Sequence, residues 1–93
     1  MIEQQTFSIV FDAITGTQEQ SASLQARSEL MRQIADIIKA NAWIQTESAR
    51  YCGVTQPRIN ELLRGRVSRF SLDALVNIAT ALGRRVHVTL EAA

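Results

Sequence analysis

Three closely spaced side chains in the middle of this chain, Gln56, Arg58 and Asn60, carry groups that proteins use to bind nucleobases. The amides of Gln and Asn can form paired hydrogen bonds with the edge of adenine, and the guanidinium of Arg can do so with guanine. More arginines follow at positions 64, 66 and 69, and arginine suits phosphate because its planar group donates two parallel hydrogen bonds. The stretch CGVTQPRINELLRGR, from Cys52 to Arg66, therefore has the chemistry of a DNA-contacting surface.

The residues around these side chains predict a short helix that begins at Thr55 and ends at Gly65. Thr55 is a good N-terminal cap, because its hydroxyl accepts a hydrogen bond from an amide two or three residues later. Pro57 is tolerated in the first turn, where its missing amide has no helical partner. The apolar stripe of this helix consists of Ile59, Leu62 and Leu63.

A shorter helical pattern follows Trp43 and Ile44 and ends near Cys52, and Gly53 marks the turn after it. Glycine adopts the left-handed conformation of many helix ends at low cost. The small side chain of Ala49, on the inner face of this pattern, allows another helix to cross closely. Two short helices joined by a tight glycine turn predict a helix-turn-helix unit, whose second helix enters the DNA major groove.

The second helix of this unit leaves a polar face open when its stripe packs inward. At about 100° per residue that face carries Gln56, Pro57, Asn60, Glu61 and Arg64, with Arg58 at its edge. Because the N-terminal half of such a helix reaches base edges, we predict base contacts from Gln56, Arg58 and Asn60. The predicted phosphate-contacting residues are Gln45, at the positive end of the preceding helix, Thr55, Arg64, Arg66 and Arg69.

Two further helical patterns must position this unit. One runs from about Ser23 to Ala40, with a start at Thr17, Ser21 or Ser23 left open. The other runs from a Ser71 cap to Gly83, and the spacing of Phe70 and Leu75 is that of a hydrophobic staple. The apolar positions of the two patterns are Leu30, Met31, Ile34, Ile37, Ile38, Leu72, Leu75, Val76, Ala79 and Leu82.

Alternating apolar residues at both ends predict short strands. The C-terminal set is Val86, Val88 and Leu90, and the weaker N-terminal set lies in residues 7–11. A lone strand is not stable in water, so residues 86–90 are expected to pair with residues 7–11 or with their own copy across a two-fold axis. Either arrangement suits a homodimer with Val86, Val88 and Leu90 at its interface, and recognition helices one duplex turn, about 34 Å, apart.

These patterns predict an all-α fold, a helix-turn-helix bundle of four to five helices with short terminal β-strands. We expect an N-terminal arm or strand at residues 1–16, a DNA-binding domain at residues 17–83, and a C-terminal strand with the dimer contact at residues 84–93.

Composition excludes several classes of protein. With 93 residues, 46% hydrophobic content and one Pro, the chain fits one ordered domain. No apolar run approaches the roughly 18–20 residues of a membrane span, and no secretory signal begins the chain. One Cys forms no internal disulfide, which suits the cytoplasm. The net charge of +1 is unevenly spread: residues 1–43 hold three basic and five acidic side chains, residues 44–93 seven and four.

Other interpretations of individual residues are weaker. Cys52 lies on an inward face and is expected to be a buried small hydrophobe, not a redox sensor. Trp43 fits a core plug better than a ligand-stacking platform, and His87 fits a solvated or interface position. One His and one Cys do not make a structural zinc site, no acid–base pair or phosphate loop is present, and we expect neither an enzyme nor a cofactor or metal. A polar, solvated helix face remains the plain alternative to DNA binding.

The stretches at residues 45–49, 52–60 and 62–65 resemble the helix-turn-helix of the Cro/repressor-like (xenobiotic-response-element, XRE) family, which has the lambda-repressor-like fold. The stretches at 63–75 and 81–84 are similar to the small single-domain branch that includes HigA-type antitoxins, with a weaker match at residues 10–14. In that family the residue matching Gln45 contacts phosphate and can bond the residue matching Gln56, and the matches to Gln56, Arg58 and Asn60 face bases. One position departs: Ile44 stands where the family has Thr or Ser, and the missing hydroxyl costs about 1 kcal/mol.

Residues and resemblance together predict a cytoplasmic, sequence-specific DNA-binding repressor that occupies a near-palindromic operator and excludes polymerase. The resemblance alone implies an antitoxin-like autoregulator of a type II toxin–antitoxin operon, with a small ribonuclease toxin as partner. Two alternatives stay open: an orphan XRE-type regulator without a toxin, and a protein-interaction module that binds no DNA.

Overall fold

Helices make up most of the part of the chain that the computed structural model describes, residues 18–92. This part contains four α-helices: α1 (Gln18–Ala40), α2 (Gln45–Cys52), α3 (Gln56–Leu63) and α4 (Leu72–Ala81). A single 3₁₀ turn, Val67–Arg69, lies between α3 and α4. The four predicted helices are confirmed.

The ends of α3 and α4 are made by the predicted caps. The Thr55 hydroxyl accepts a hydrogen bond from the Arg58 amide at 3.4 Å, and the Ser71 hydroxyl accepts one from the Ala74 amide at 3.0 Å. Gly53, between α2 and α3, has φ of 70°. A Cβ there would lie 3.8 Å from the nearest side-chain atom, so the backbone angle and not the available space makes glycine the favoured residue.

The start of α2 is held by side chains other than a cap hydroxyl. The Glu47 carboxylate accepts a hydrogen bond from the Ile44 amide at 3.1 Å, which is one half of a capping box. Ser48, fully buried, donates from its hydroxyl to the Ile44 carbonyl at 3.0 Å. The helix therefore begins at Gln45 although Ile44 offers no side-chain acceptor.

All four helices contribute to one hydrophobic core. α1 packs against α4 and the 3₁₀ turn, and α2 packs against α3. The predicted apolar stripes are confirmed, although Leu72 is 44% exposed. The buried core side chains are Met31, Ile34, Ile38, Ala49, Cys52, Ile59, Leu62, Phe70, Leu75 and Ile78.

The prediction of short terminal β-strands is wrong for the C-terminus. Within residues 18–92 no segment forms a strand, and Val86, Val88 and Leu90 belong to an irregular stretch that lines a groove with α1. The alternation supplies one apolar face, but a strand also needs a neighbour for its backbone hydrogen bonds, and the described residues supply none. The N-terminal strand predicted at residues 7–11, and the arm at 1–16, lie outside the described residues.

No helix between residues 18 and 92 combines the length and the apolar character that crossing a membrane requires. The predicted domain boundaries at residues 16/17 and 83/84 stay predictions.

Candidate nucleic-acid interface

Burial fixes which face of α3 points outward. Ile59 is fully buried and Leu62 is 2% exposed, and both pack into the core beside Ala49 and Cys52 of α2. Gln56 is exposed, and Asn60 follows it by four residues, which places it on the same face one turn later. The structure therefore brings these two predicted base contacts together on the outer side of α3.

The side-chain amide of Gln56 has one atom in a hydrogen bond and one atom available. Its side-chain nitrogen donates to the Thr46 hydroxyl at 3.2 Å. The resemblance implied Gln45 as the partner, but the contact is made by the next residue of α2. The side-chain amide oxygen of Gln56 makes no hydrogen bond with the described residues, so it keeps an acceptor for a ligand.

Asn60 and Gln45 both keep their amide groups available. Asn60 is half-buried and Gln45 is exposed, and neither side chain bonds another residue between 18 and 92. At the start of α2, however, Glu47 already occupies the Ile44 amide and adds a negative charge near Gln45. This carboxylate weakens the predicted attraction of a phosphate to that helix end.

Arg58 is placed differently from Gln56 and Asn60. Its guanidinium carbon lies 4.0 Å from the centre of the Phe70 ring, a cation–π geometry. One of its terminal nitrogens donates to the Arg69 carbonyl at 2.8 Å and lies 3.4 Å from a Glu61 carboxylate oxygen. The guanidinium of this predicted base contact is thus docked against the segment after α3.

Glu61 connects the two arginines that flank it. Its other carboxylate oxygen lies 3.3 Å from a terminal nitrogen of Arg69, and its side chain is 23% exposed. Glu61 is predicted to lie on the open face of α3, but no role for its carboxylate follows from the sequence. The spacing of three residues between Arg58 and Glu61 was an available signal, whereas the contact with Arg69 depends on the path of the chain after α3.

Arg27 of α1 is a second residue that the sequence analysis missed. Its guanidinium donates to the Phe70 carbonyl at 3.0 Å and to the Val67 carbonyl at 3.4 Å. These acceptors lie 43 and 40 residues away along the chain, so no local pattern indicates them. Arg27 therefore ties the 3₁₀ turn to α1.

Two exposed arginines beside α3 are available to a ligand. Arg64 and Arg66 make no side-chain hydrogen bond or ion pair with any residue from 18 to 92. Residues 58–69 carry four arginines, at positions 58, 64, 66 and 69, against the single carboxylate of Glu61, so this part of the chain has a net positive charge. Thr55, the other predicted phosphate contact, is exposed, but its hydroxyl caps α3.

The remaining candidate residues occupy structural positions. Cys52 is 2% exposed, and burial raises the pKa of its thiol, which confirms the buried-hydrophobe interpretation. Trp43 is half-buried against the core and stacks on Tyr51 with ring centres 4.4 Å apart, as expected of a plug. His87 is exposed. Between residues 18 and 92 no three His, Cys, Asp or Glu side chains cluster closely enough to hold a metal ion.

A family model described as a helix-turn-helix domain matches residues 15–91, which is more than half of the chain. A comparison with curated proteins gives no match. The matched range includes α1 to α4 and every side chain for which a DNA contact is predicted.

Proposed function

This chain belongs to the family of helix-turn-helix domains, and we propose that it is a sequence-specific DNA-binding repressor of transcription. The observation that carries the proposal is the outer face of α3. Gln56 and Asn60 lie on it with hydrogen-bonding groups to spare, above a buried stripe that holds the helix rigidly. Amide side chains presented in this way suit the edges of bases in the major groove.

The proposed contacts divide into two kinds. Gln56 and Asn60 read bases, while Arg64, Arg66 and Arg69 bind phosphates and supply affinity that does not depend on sequence. Gln45 and Thr55 are secondary phosphate contacts, since Glu47 and a capping bond already engage their surroundings. A base contact from Arg58 stays a prediction, because its guanidinium would first have to leave Phe70 and the Arg69 carbonyl.

We also propose a homodimer that binds a near-palindromic operator. Support comes from Val88 and Leu90, which are 75% and 94% exposed, with the half-buried Val86 beside them. Apolar side chains left in water favour association with a matching surface, and a second copy supplies one by symmetry. Two copies placing their α3 helices about 34 Å apart would occupy successive major grooves. Occupation of such a site next to a promoter excludes polymerase.

The antitoxin role, with a small ribonuclease toxin as partner, rests on the resemblance of the sequence alone. An orphan regulator of the same kind is the second candidate, and a module that binds only proteins is the third. The third leaves the exposed Arg64 and Arg66 without a ligand, so the geometry supports it least. We propose no enzymatic activity, and a chromosomal operator as ligand implies a cytoplasmic location.

Selection from a pool of randomised DNA duplexes, followed by footprinting of the enriched sequence, tests the proposal. We expect a near-palindromic consensus and a protected region whose two halves are about one helical turn apart. Failure to enrich any sequence, together with an affinity that does not depend on salt, would exclude DNA as the ligand. Co-purification of a small ribonuclease expressed from an adjacent reading frame distinguishes the antitoxin from the orphan regulator.

A further inference from the structure

Arg58 joins the recognition helix to the segment that carries the phosphate-binding arginines. Its guanidinium covers the face of Phe70 at 4.0 Å and donates to the Arg69 carbonyl at 2.8 Å. Phe70 is 2% exposed, so the ring is a fixed platform that belongs to the core. An Arg side chain held by a ring and a carbonyl at once has lost most of its freedom to reach a ligand.

Glu61 reinforces this arrangement from the next turn of α3. Its carboxylate lies 3.4 Å from Arg58 and 3.3 Å from Arg69, so one side chain of the helix holds both arginines. Exposed ion pairs of this length contribute little each. Here the two ion pairs help to fix the position of one short segment, because the carbonyl and ring contacts of Arg58 involve the same residues, Arg69 and Phe70.

A second helix, α1, also holds this segment. Arg27 donates to the carbonyls of Val67 and Phe70 at 3.4 and 3.0 Å. Two guanidinium groups, one from α1 and one from α3, therefore bond the segment that contains the 3₁₀ turn. The carbonyls that accept these bonds are those of Val67, Arg69 and Phe70. A one-turn 3₁₀ helix has little stability of its own, so these contacts determine where it lies.

We infer that Arg58 is a positioning residue: it locks the 3₁₀ turn to α3, so that Arg66 and Arg69 meet the DNA backbone in register with the bases that α3 reads. The inference rests on the proposed function and assigns Arg58 a role other than base contact. Arg58 affects DNA binding through Arg66 and Arg69, because Arg69 belongs to the turn that Arg58 holds and Arg66 directly precedes that turn.

The test compares Arg58→Ala with Arg64→Ala, which removes the same charge from the same end of the molecule. Arg64 is exposed and bonds no other described side chain, so it is a matched control. In the DNA-free protein, the amides of Arg69 and Phe70, which close the 3₁₀ turn, should exchange with solvent about threefold to tenfold faster in Arg58→Ala. Arg64→Ala should leave these rates unchanged.

DNA binding supplies the second readout. Measured against a panel of duplexes that differ from the selected site at single base pairs, Arg58→Ala should weaken binding to all members in parallel. The slope of log K against log salt should decrease in magnitude more for Arg58→Ala than for Arg64→Ala. The reason is that Arg58→Ala misplaces two phosphate contacts, whereas Arg64→Ala removes one. Arg58→Lys, which keeps one donor for the Arg69 carbonyl, should restore part of the protection and part of the affinity.

Two results would overturn the inference. Unchanged exchange in the 3₁₀ turn of Arg58→Ala would show that Arg58 does not hold it. Loss of discrimination at one base pair, with the rest of the panel unaffected, would make Arg58 a base-reading residue. Absence of DNA binding by the wild-type protein would instead remove the proposed function, and the exchange measurement would then report on the turn alone.

Discussion

At the scale of single residues, neighbouring side chains on α3 differ in what they are free to do. Gln56 and Asn60 keep hydrogen-bonding groups open, whereas Arg58 and Glu61 are engaged with the segment from Arg69 to Phe70. Side chains of similar polarity thus divide into those that can meet a ligand and those that shape the surface. Substitutions at the two kinds of position should have different effects on binding.

Asn60→Ala should relax sequence preference. It removes an amide that can bond adenine at two atoms, which is worth about 1–3 kcal/mol of discrimination. Fluorescence anisotropy with duplexes substituted at each base pair measures the effect. Asn77→Ala removes an exposed Asn from α4 and is the control. If both variants bind every duplex as the wild type does, Asn60 does not read a base.

Arg66→Ala should weaken binding to all duplexes alike. Arg66 is exposed and lies just before the 3₁₀ turn, where a guanidinium can bond phosphate without reading sequence. We expect the magnitude of the slope of log K against log salt to decrease by about 0.9. Arg85→Ala, an exposed arginine after α4, should leave the slope nearly unchanged. A slope that responds equally to both substitutions contradicts a local phosphate contact.

At the scale of elements, the side chains at the starts of the short helices help to determine where each helix lies in the chain. α2 and α3 have eight residues each and would be marginal alone, so caps and packing determine where they begin and end. Thr55 and Ser71 accept amide hydrogen bonds, and Glu47 accepts one from the Ile44 amide, although the cap hydroxyl at Ile44 is missing. Each end is stabilised by a different side chain, so each can be tested separately.

Ser71→Ala should destabilise the protein without changing its surface for DNA. The variant loses the bond from the Ala74 amide, which costs about 1 kcal/mol and lowers Tm by about 4–8 °C for a domain of this size. Circular dichroism during heating gives the value. Ser68→Ala, at an exposed serine with no side-chain bond to a described residue, is the control. Equal melting temperatures would show that the cap contributes nothing.

At the scale of the whole molecule, the C-terminal segment is the part whose role depends most on a partner. Val88 and Leu90 project into solvent, and residues 84–92 form a groove with α1 that the described part of the chain leaves open. A monomer gains nothing from these exposed apolar side chains. Association of two copies would remove them from water and set the spacing of the two α3 helices.

Val88→Asp should shift the protein from dimer to monomer. A carboxylate at an apolar contact must be desolvated without a partner, and we expect the dimer to weaken by about tenfold or more. Sedimentation equilibrium at several concentrations measures this shift. Thr89→Asp introduces the same charge at the neighbouring exposed position and is the control. A wild-type chain that sediments as a monomer would remove the proposed dimer.

The sequence by itself determined the helices and the outward face of α3. Thr55, Ser71 and Gly53 act on residues within one turn of themselves, and the apolar stripe of α3 follows a period of about 3.6 residues. Such signals are local, so they can be recognised before the fold is known. For the same reason Gln56 and Asn60 were placed correctly on the open face, although their contact with bases stays a prediction.

Tertiary structure alone decided which polar side chains of that surface are free. The positions of Arg58, Arg69 and Arg27 depend on how α1, α3 and the 3₁₀ turn pack, since their bonds join residues 8 to 43 positions apart. The terminal strand was wrong for a related reason. Alternation of Val86, Val88 and Leu90 describes one face of a segment, whereas a strand also needs a neighbouring backbone, and the packing of the described chain provides none.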